Sequence, residues 1–418
     1  MRIGRHALIA MAVALLAACT GGSPIGSTRP APTATATPAA TTIPSVSPTL
    51  FPYVGAFTTI APMTIARNGH TATLLLDGTV LVVGGQGPDG AALASAEIYD
   101  PTTKTFRATG SLHHPRTMHT ATLLLDGTVL IAGGGKTDPS PAPEAPEIMG
   151  LSCCSPVTSL ELYHPATGTF SEAGDMLVSR FPGMTATLLA DGRVLFVGGH
   201  AVLANGDIGD ALASAEIYDP ATGTSSATGS MADGRYGHSA TRLQDGQVLI
   251  AGGQVGSSGA NSMSAELYDP GTRTFRRTGQ MLGYSDAFHT ATLLANGRVL
   301  IVGWGDNNNV AHPELYESAG SGGEVSGFFV ATGTTGARPT SSAALLADGR
   351  VLVVGGQRAA NLATAVIFDP ATGTFIATGS LSTARRDVVT TALADGTVLV
   401  IGGTGEDNNP MDSVELFH

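Results

Sequence analysis

Apolar runs broken by Asp-Gly recur along most of this chain, and they read as short strands joined by tight turns. His70 to Leu76 and Thr79 to Val83 are apolar or β-branched runs joined by Asp77-Gly78. Asp-Gly between such runs signals a two-residue hairpin, because the favoured turn needs positive φ at its central residues. The turn returns at Asp126-Gly127, Asp191-Gly192, Asp245-Gly246, Asn296-Gly297, Asp348-Gly349 and Asp395-Gly396. Each second run closes on a glycine doublet: Gly84-Gly85, Gly133-Gly134, Gly198-Gly199, Gly252-Gly253, Gly355-Gly356 and Gly402-Gly403, with a worn copy at Gly303-Trp304-Gly305. A third run ends in Tyr99-Asp100-Pro101 and its counterparts, where proline removes a backbone donor and stops the ladder. A fourth follows a Thr-Gly type turn and carries Phe106, Phe170, Phe275 or Phe375. The doublets stand about 53 residues apart on average, a period that describes a propeller or array in which no unit buries both faces alone.

The segment Ser413 to His418 matches a third strand and has no fourth strand after it. Gly55 to Met63 aligns with Gly168 to Met176, a segment of fourth-strand type. The expected fold is therefore all-β: a seven-bladed propeller of four-stranded blades, its ring closed by an N-terminal strand completing the last blade. Such closure pairs backbone groups that an open edge would leave exposed.

The diglycine, the tyrosine and the following aromatic resemble the Kelch motif, and the resemblance spans Phe57 to His418. It departs regularly: the tryptophan usual in the fourth strand is phenylalanine here, or Ser225 in the third blade. Blade 5 departs further, since Trp304 splits its diglycine and Tyr316-Glu317-Ser318 replaces Tyr-Asp-Pro. What the resemblance implies is a bacterial Kelch-type propeller of the galactose oxidase central-domain class. That class contains both enzymes and binding platforms, so fold alone assigns no chemistry.

Charge narrows the partners. A net charge of -12 and a pI near 5.3, with no basic stripe, argue against nucleic acid. Residues 1–19 read as a signal segment: Arg2 and Arg5 precede an apolar stretch from Ala7 to Leu16, too short to span a membrane. Leu16-Ala17-Ala18-Cys19 resembles the lipobox of bacterial lipoproteins, which implies lipid attachment at Cys19. Residues 20–50, rich in Thr, Pro, Ala and Ser, form a disordered tether, and residues 51–418 form the propeller. The expected location is exported and lipid-anchored to the bacterial membrane, facing periplasm or cell exterior.

The two faces of such a ring differ. Asp-Gly and Asp-Pro-Ala-Thr-Gly turns make one face uniform, whereas Gln86 to Leu93, Gly135 to Val157, His200 to Leu212, Gln254 to Ser262, Asp306 to Val310 and Thr404 to Met411 vary on the other. Loops on a rigid scaffold usually carry recognition, so the ligand site is placed on the variable face. On that face an arginine recurs three residues before the innermost strand: Arg67, Arg116, Arg235, Arg338 and Arg385, with Arg180 one residue out of register. Their guanidiniums could ring the channel mouth and hold a carboxylate, sulfate or phosphate; alternatively each fixes a crossover by pairing with a recurrent glutamate.

His70, His119, His238 and His289 share one repeat position and read as packing and hydrogen bonding between blades rather than as a metal ring. Glu97, Glu161, Glu216, Glu266, Glu314 and Glu415 share another and read as structural. Cys153 and Cys154, adjacent in the long loop of blade 2, could form a vicinal disulfide, stay free or bridge two molecules. A galactose oxidase-like copper site would need a Cys-linked Tyr, a second Tyr and two His converging near the axis. Tyr163-His164 lies at a turn of the uniform face, opposite the cysteines, so no such set converges. Asp207, Asp210 and Glu406 to Asn409 lack a liganding pattern for a hard cation.

The expectation is a non-catalytic binding module for a protein or glycan, acidic where the arginines engage it, with no catalytic residue, metal or cofactor. The alternative is an envelope enzyme acting on carbohydrate, a galactose oxidase-like oxidase or a sugar epimerase.

Overall fold

Seven antiparallel four-stranded sheets form the blades. The computed structural model describes residues 55–418 except 138–146, 149–150, 153, 203–207, 257–258, 284–286, 304–309, 319–326 and 358–359. Blade 1 consists of Thr71–Leu74, Val80–Val83, Ser95–Asp100 and Thr105–Ser111, hydrogen-bonded in that order from the axis outward. The first strands of successive blades touch one another all the way round, including those of blades 7 and 1, so the ring is closed.

Packing explains the burial pattern. First strands are half-buried because one side faces the channel, whereas second strands such as Val80–Val83 and Val129–Ala132 are buried throughout. Being covered by sheets on both sides, they are continuous apolar runs rather than alternating ones. The core is accordingly not one central mass but a slab at each seam. Leu81, Val83 and Ile98 of blade 1, for example, pack on Val129, Ile131 and Tyr163 of blade 2.

Closure is by strand donation, as the sequence suggests. Phe57–Thr59 pairs antiparallel with Val414–Phe417, in the register Phe57↔Phe417 to Thr59↔Glu415. Ile60 N donates to Val414 O at 3.1 Å and Met63 N to Asp412 O at 2.9 Å, and Met63 is buried in the slab between blades 7 and 1. Phe57 also stacks tilted on Phe417 with ring centroids 5.0 Å apart, the position that Tyr99 and Phe106 hold in blade 1.

The glycine doublets have one steric cause. Both members take positive φ, for instance 60° at Gly84 and 95° at Gly85. A Cβ on Gly84 would lie 2.6 Å from Arg116 O and 2.8 Å from the ring of His119 on the next blade. Glycine is required here by conformation and by the approach of the neighbour.

Deleting residues 51–63 should lower the melting temperature sharply, since it opens an edge and removes Phe57 and Met63 from buried contacts. Thermal denaturation followed by circular dichroism checks this, and an unchanged melt would show that another segment closes the ring.

Candidate functional site

The six arginines sit inside the blades, not at the channel surface. Arg67, Arg116, Arg235 and Arg385 are 0% exposed, Arg180 is 2% and Arg338 is 5%. Arg67 Nη2 donates to Glu97 Oε1 at 2.7 Å, and its Nη1 donates to the carbonyls of Gly84 and Ser95 at 2.8 and 3.1 Å. Arg116 with Glu161, Arg235 with Glu266 and Arg385 with Glu415 repeat the pair through Nη2 at 2.8, 3.1 and 2.8 Å. Arg180 reaches Glu216 through Nε instead, at 2.6 Å, which fits its shifted register. The second carboxylate oxygen accepts the backbone N–H three residues before the arginine, as Glu97 Oε2 does from Thr64 N at 2.8 Å and Glu216 Oε2 from Leu177 N at 2.6 Å. The expectation of a ligand-binding arginine ring is thus corrected. Five of these forks are spent on a carboxylate and on diglycine and third-strand carbonyls, and the assembly clamps the crossover onto the next blade.

Two blades carry half a clamp. Blade 6 has Val366 at the carboxylate position, and Arg338 bonds to Gly355 O, Thr364 O and Thr364 Oγ1. Blade 5 has Asp286 at the arginine position, and burial of Glu314 raises its pKa against the pull of its hydrogen bonds from Leu282 N and Gly283 N. In blade 2 burial also favours the neutral carboxyl, but the His113 N–H groups, Arg116 and the His114 N–H outweigh it and hold Glu161 below its ordinary pKa.

The recurrent histidines join blades. His119 Nε2 meets Thr71 Oγ1 at 2.9 Å, His238 meets Thr185 at 2.9 Å and His289 meets Ser239 at 2.8 Å. At the closing seam the hydroxyl position of blade 7 is Val389, and His70 Nε2 has no partner. Burial, reinforced by the Arg67 charge, lowers the pKa of His70 to about 3, so this imidazole is neutral at physiological pH.

What remains for recognition is the crown of non-repeating elements on the variable face. Gly135–Thr137 pairs with Cys154–Pro156, His200–Val202 with Ile208–Ala211, and Arg235–Tyr236 with Gln254–Val255 and then Ala260–Asn261. The cysteine pair falls partly outside the described residues, which include Cys154 but not Cys153; Cys19 also lies outside them. Asp207 does too, and Asp407 caps its own turn through Asn409 N at 3.1 Å.

At the foot of the crown is an annulus that sequence reasoning missed. The residue two beyond the arginine position adopts positive φ in blade after blade: Gly69, Met118, Gly237, Phe288, Thr340 and Asp387, with Gly183 in blade 3. Met118 N bonds to Gly69 O at 2.8 Å, Gly237 N to Gly183 O at 2.8 Å, Phe288 N to Gly237 O at 2.7 Å and Asp387 N to Thr340 O at 3.1 Å. Side chains here do not repeat, so the mouth is asymmetric. Near Asp387, Arg386 reaches Asp387 Oδ2 and Asn361 Oδ1 at 3.3 Å each, and Asn361 Nδ2 donates to Thr404 O and Gly405 O. Across blades 3 and 4, His200 and Tyr236 rings lie 4.0 Å apart and Tyr236 hydrogen-bonds to Gln254. Glycines at 69, 183 and 237 were the available signal, with Asp387 a weaker one; a left-handed methionine or phenylalanine has none.

The Kelch motif matches residues 67–112. This chain is a β-propeller whose first blade carries a Kelch motif. An F-box/kelch-repeat protein of Arabidopsis thaliana is 46% identical over 57 residues, covering 14% of this chain and 15% of that protein. The propeller also resembles the structure of a fungal alcohol oxidase of the AA5 family determined with copper, at a TM-score of 0.63 and 16% identity over 88% of this chain and 76% of that one. Likeness at that identity shows a shared fold.

The described residues of this propeller do not fit a copper centre. Among the described residues no three or more His, Cys, Asp or Glu side chains group to hold a metal. Three of the third-strand tyrosines are committed between blades, Tyr163 OH meeting Thr109 Oγ1 at 2.9 Å, Tyr268 OH meeting Thr228 Oγ1 at 2.8 Å and Tyr316 OH meeting Thr278 Oγ1 at 3.0 Å, while the Tyr99 and Tyr218 hydroxyls are buried inside the blades. His164 is held by Ser171 Oγ at 2.8 Å, at the turn end of its strand.

Glu161→Gln should destabilise the fold by about 3–5 kcal/mol at neutral pH, because it leaves Arg116 buried without a counter-charge. Since the folded pKa of Glu161 is lowered, its contribution is whole above the ordinary glutamate range and is lost as pH falls through the lower folded value. Denaturant melts from pH 7 downward should therefore be flatter for the variant. Val389→Thr should do the opposite, adding about 0.5–1.5 kcal/mol by giving His70 the hydroxyl that Thr71 gives His119; equilibrium unfolding in guanidinium measures it.

Proposed function

We propose that this propeller is a lipid-anchored cell-envelope binding module that engages a protein or glycan through its variable-loop face. The observation that carries the reading is the division of labour among polar side chains. Those that repeat are consumed by the scaffold: the arginines and glutamates by the clamps, most of the histidines by hydroxyls across seams, and turn aspartates such as Asp77 and Asp126 by Thr79 and Thr128. Many of those that do not repeat gather on the variable face, around Asp387, Arg386, Asn361 and the His200–Tyr236 pair. A preference for acidic partners loses its basis with the arginines buried.

The path of the chain supports an outward-facing crown. Gly55 enters at the turn face, where its carbonyl accepts Gly379 N at 3.0 Å, and the strand then climbs through Phe57–Thr59 to Arg67 on the variable face. The chain therefore enters the propeller on the face opposite the crown. No helix among the described residues is long and apolar enough to cross a membrane.

The test uses a photo-crosslinking side chain placed singly in full-length protein, expressed in its own envelope. Positions Gln86 and Asn408 on the crown should yield discrete adducts, and Asp77 and Asp395 on the turn face should not. The converse pattern would overturn the reading. In the same cells Cys19→Ala should shift the protein from the membrane to the soluble fraction.

A further inference from the structure

The turn face is uniform except at one seam, where several departures from the repeat converge. The residue before each hairpin turn is Leu76, Leu125, Ala190, Ala295, Ala347 or Ala394, but Gln244 in blade 4. The first residue of that turn is aspartate in every blade except blade 5, where it is Asn296. The outer turn begins Asp-Pro or His-Pro in blades 1 to 4 and 6, but Glu317-Ser318 in blade 5.

These changes open a groove. Between blades 2 and 3 the corresponding space is about 290 Å³ and is flanked by the Asp219-Pro220-Ala221 turn. Between blades 4 and 5 it is about 560 Å³, within the range of small-ligand sites. The arginine of the turn changes partner as well. Arg193 and Arg350 fold back onto Asp191 and Asp348 of their own turns, each with Nε to Oδ2 at 2.8 Å. With Asn296 in that place Arg298 turns instead to Glu317 on the neighbouring strand of the same blade, at 3.2 Å. On the facing wall Arg276 Nη2 donates to Gln247 Oε1 at 3.1 Å, and Gln244 Nε2 donates to Ala295 O at 3.2 Å.

We propose that this groove binds a neutral oligosaccharide. Its lining is planar and polar, with amides, guanidiniums and carboxylates that can each bridge vicinal hydroxyls with two hydrogen bonds. Arg276 and Arg298 are balanced by Asp245 and Glu317, so no net field selects a polyanion. Leu243 is the one large apolar residue on its walls, too little to anchor the hydrophobic side chains of a peptide. The site lies on the face opposite the crown and stands independently of the crown's role.

The purified propeller is applied to an array of neutral oligosaccharides, and the best hit is measured by isothermal titration calorimetry. Two variants decide the matter. Paired Gln244→Ala and Gln247→Ala change one exposed and one half-buried turn residue, and Asn296→Asp supplies the carboxylate that Arg193 and Arg350 meet in their own turns, so the fold is kept. Each should weaken binding by about tenfold or more, while Asn408→Ala on the crown should not. No binding at millimolar sugar, binding confined to acidic glycans, or full affinity in both variants would overturn the assignment. Crosslinks from Gln86 or Asn408 report on the crown alone, so either reading can fail without the other.

Discussion

A guanidinium withdrawn from water is destabilising by several kcal/mol unless a charge and oriented acceptors replace the solvent, and this ring buries one in six of its blades. In five of them a third-strand glutamate supplies the charge, and carbonyls at the end of the second strand and the start of the third complete the shell. The same glutamate takes the backbone N–H of the incoming crossover. One buried pair therefore ties three strands of a blade to the chain arriving from its neighbour. Hydrophobic slabs hold adjacent sheets together without direction; the clamp fixes where each blade begins.

That constraint shapes where function can reside. A residue type needed in nearly every blade cannot also be free for a ligand, and the arginine is the clearest case: position and chemistry suit an anion, yet its donors are already engaged. Recognition is left to residues that break the repeat. Asp387, Met118 and Phe288 occupy one conformational slot with different side chains, so the mouth has local character on a scaffold that has none. Gln244, Asn296 and Glu317 are the equivalent on the other face.

Strand order, hairpin turns, doublets and the closing strand were legible because each depends on a local rule: Asp-Gly for a tight turn, Gly-Gly for backbone approach, Pro to end a ladder. The pairing of histidine and glutamate with neighbouring blades was legible for a related reason, since a polar residue repeated around a ring answers to the scaffold. Burial of the arginines was harder to read. Nothing in Arg67 or its neighbours distinguishes a guanidinium at the channel rim from one turned into the blade; the distance to Glu97 decides it, and that pair is separated by 30 residues. The left-handed annulus was hidden where Met118 and Phe288 occupy it, because their side chains carry no conformational signature.

Blades 5 and 6 show how departures interact. Glu314 has lost its arginine and Arg338 its glutamate, so two consecutive clamps are incomplete. The seam on the inner side of blade 5 is also where the turn face opens, through Asn296, Glu317 and Ser318. A site is most easily built where the scaffold has given up some of its regularity, because there the side chains are no longer required for closure. A Cβ on Gly127 would lie 2.9 Å from Leu76 Cδ1 and one on Gly297 3.0 Å from Gln244 Oε1, so the glutamine occupies at its seam the place that the leucine holds between blades 1 and 2. The replacement of leucine or alanine by glutamine thus changes the chemistry of the seam, placing a hydrogen-bonding side chain where the other seams present an apolar one.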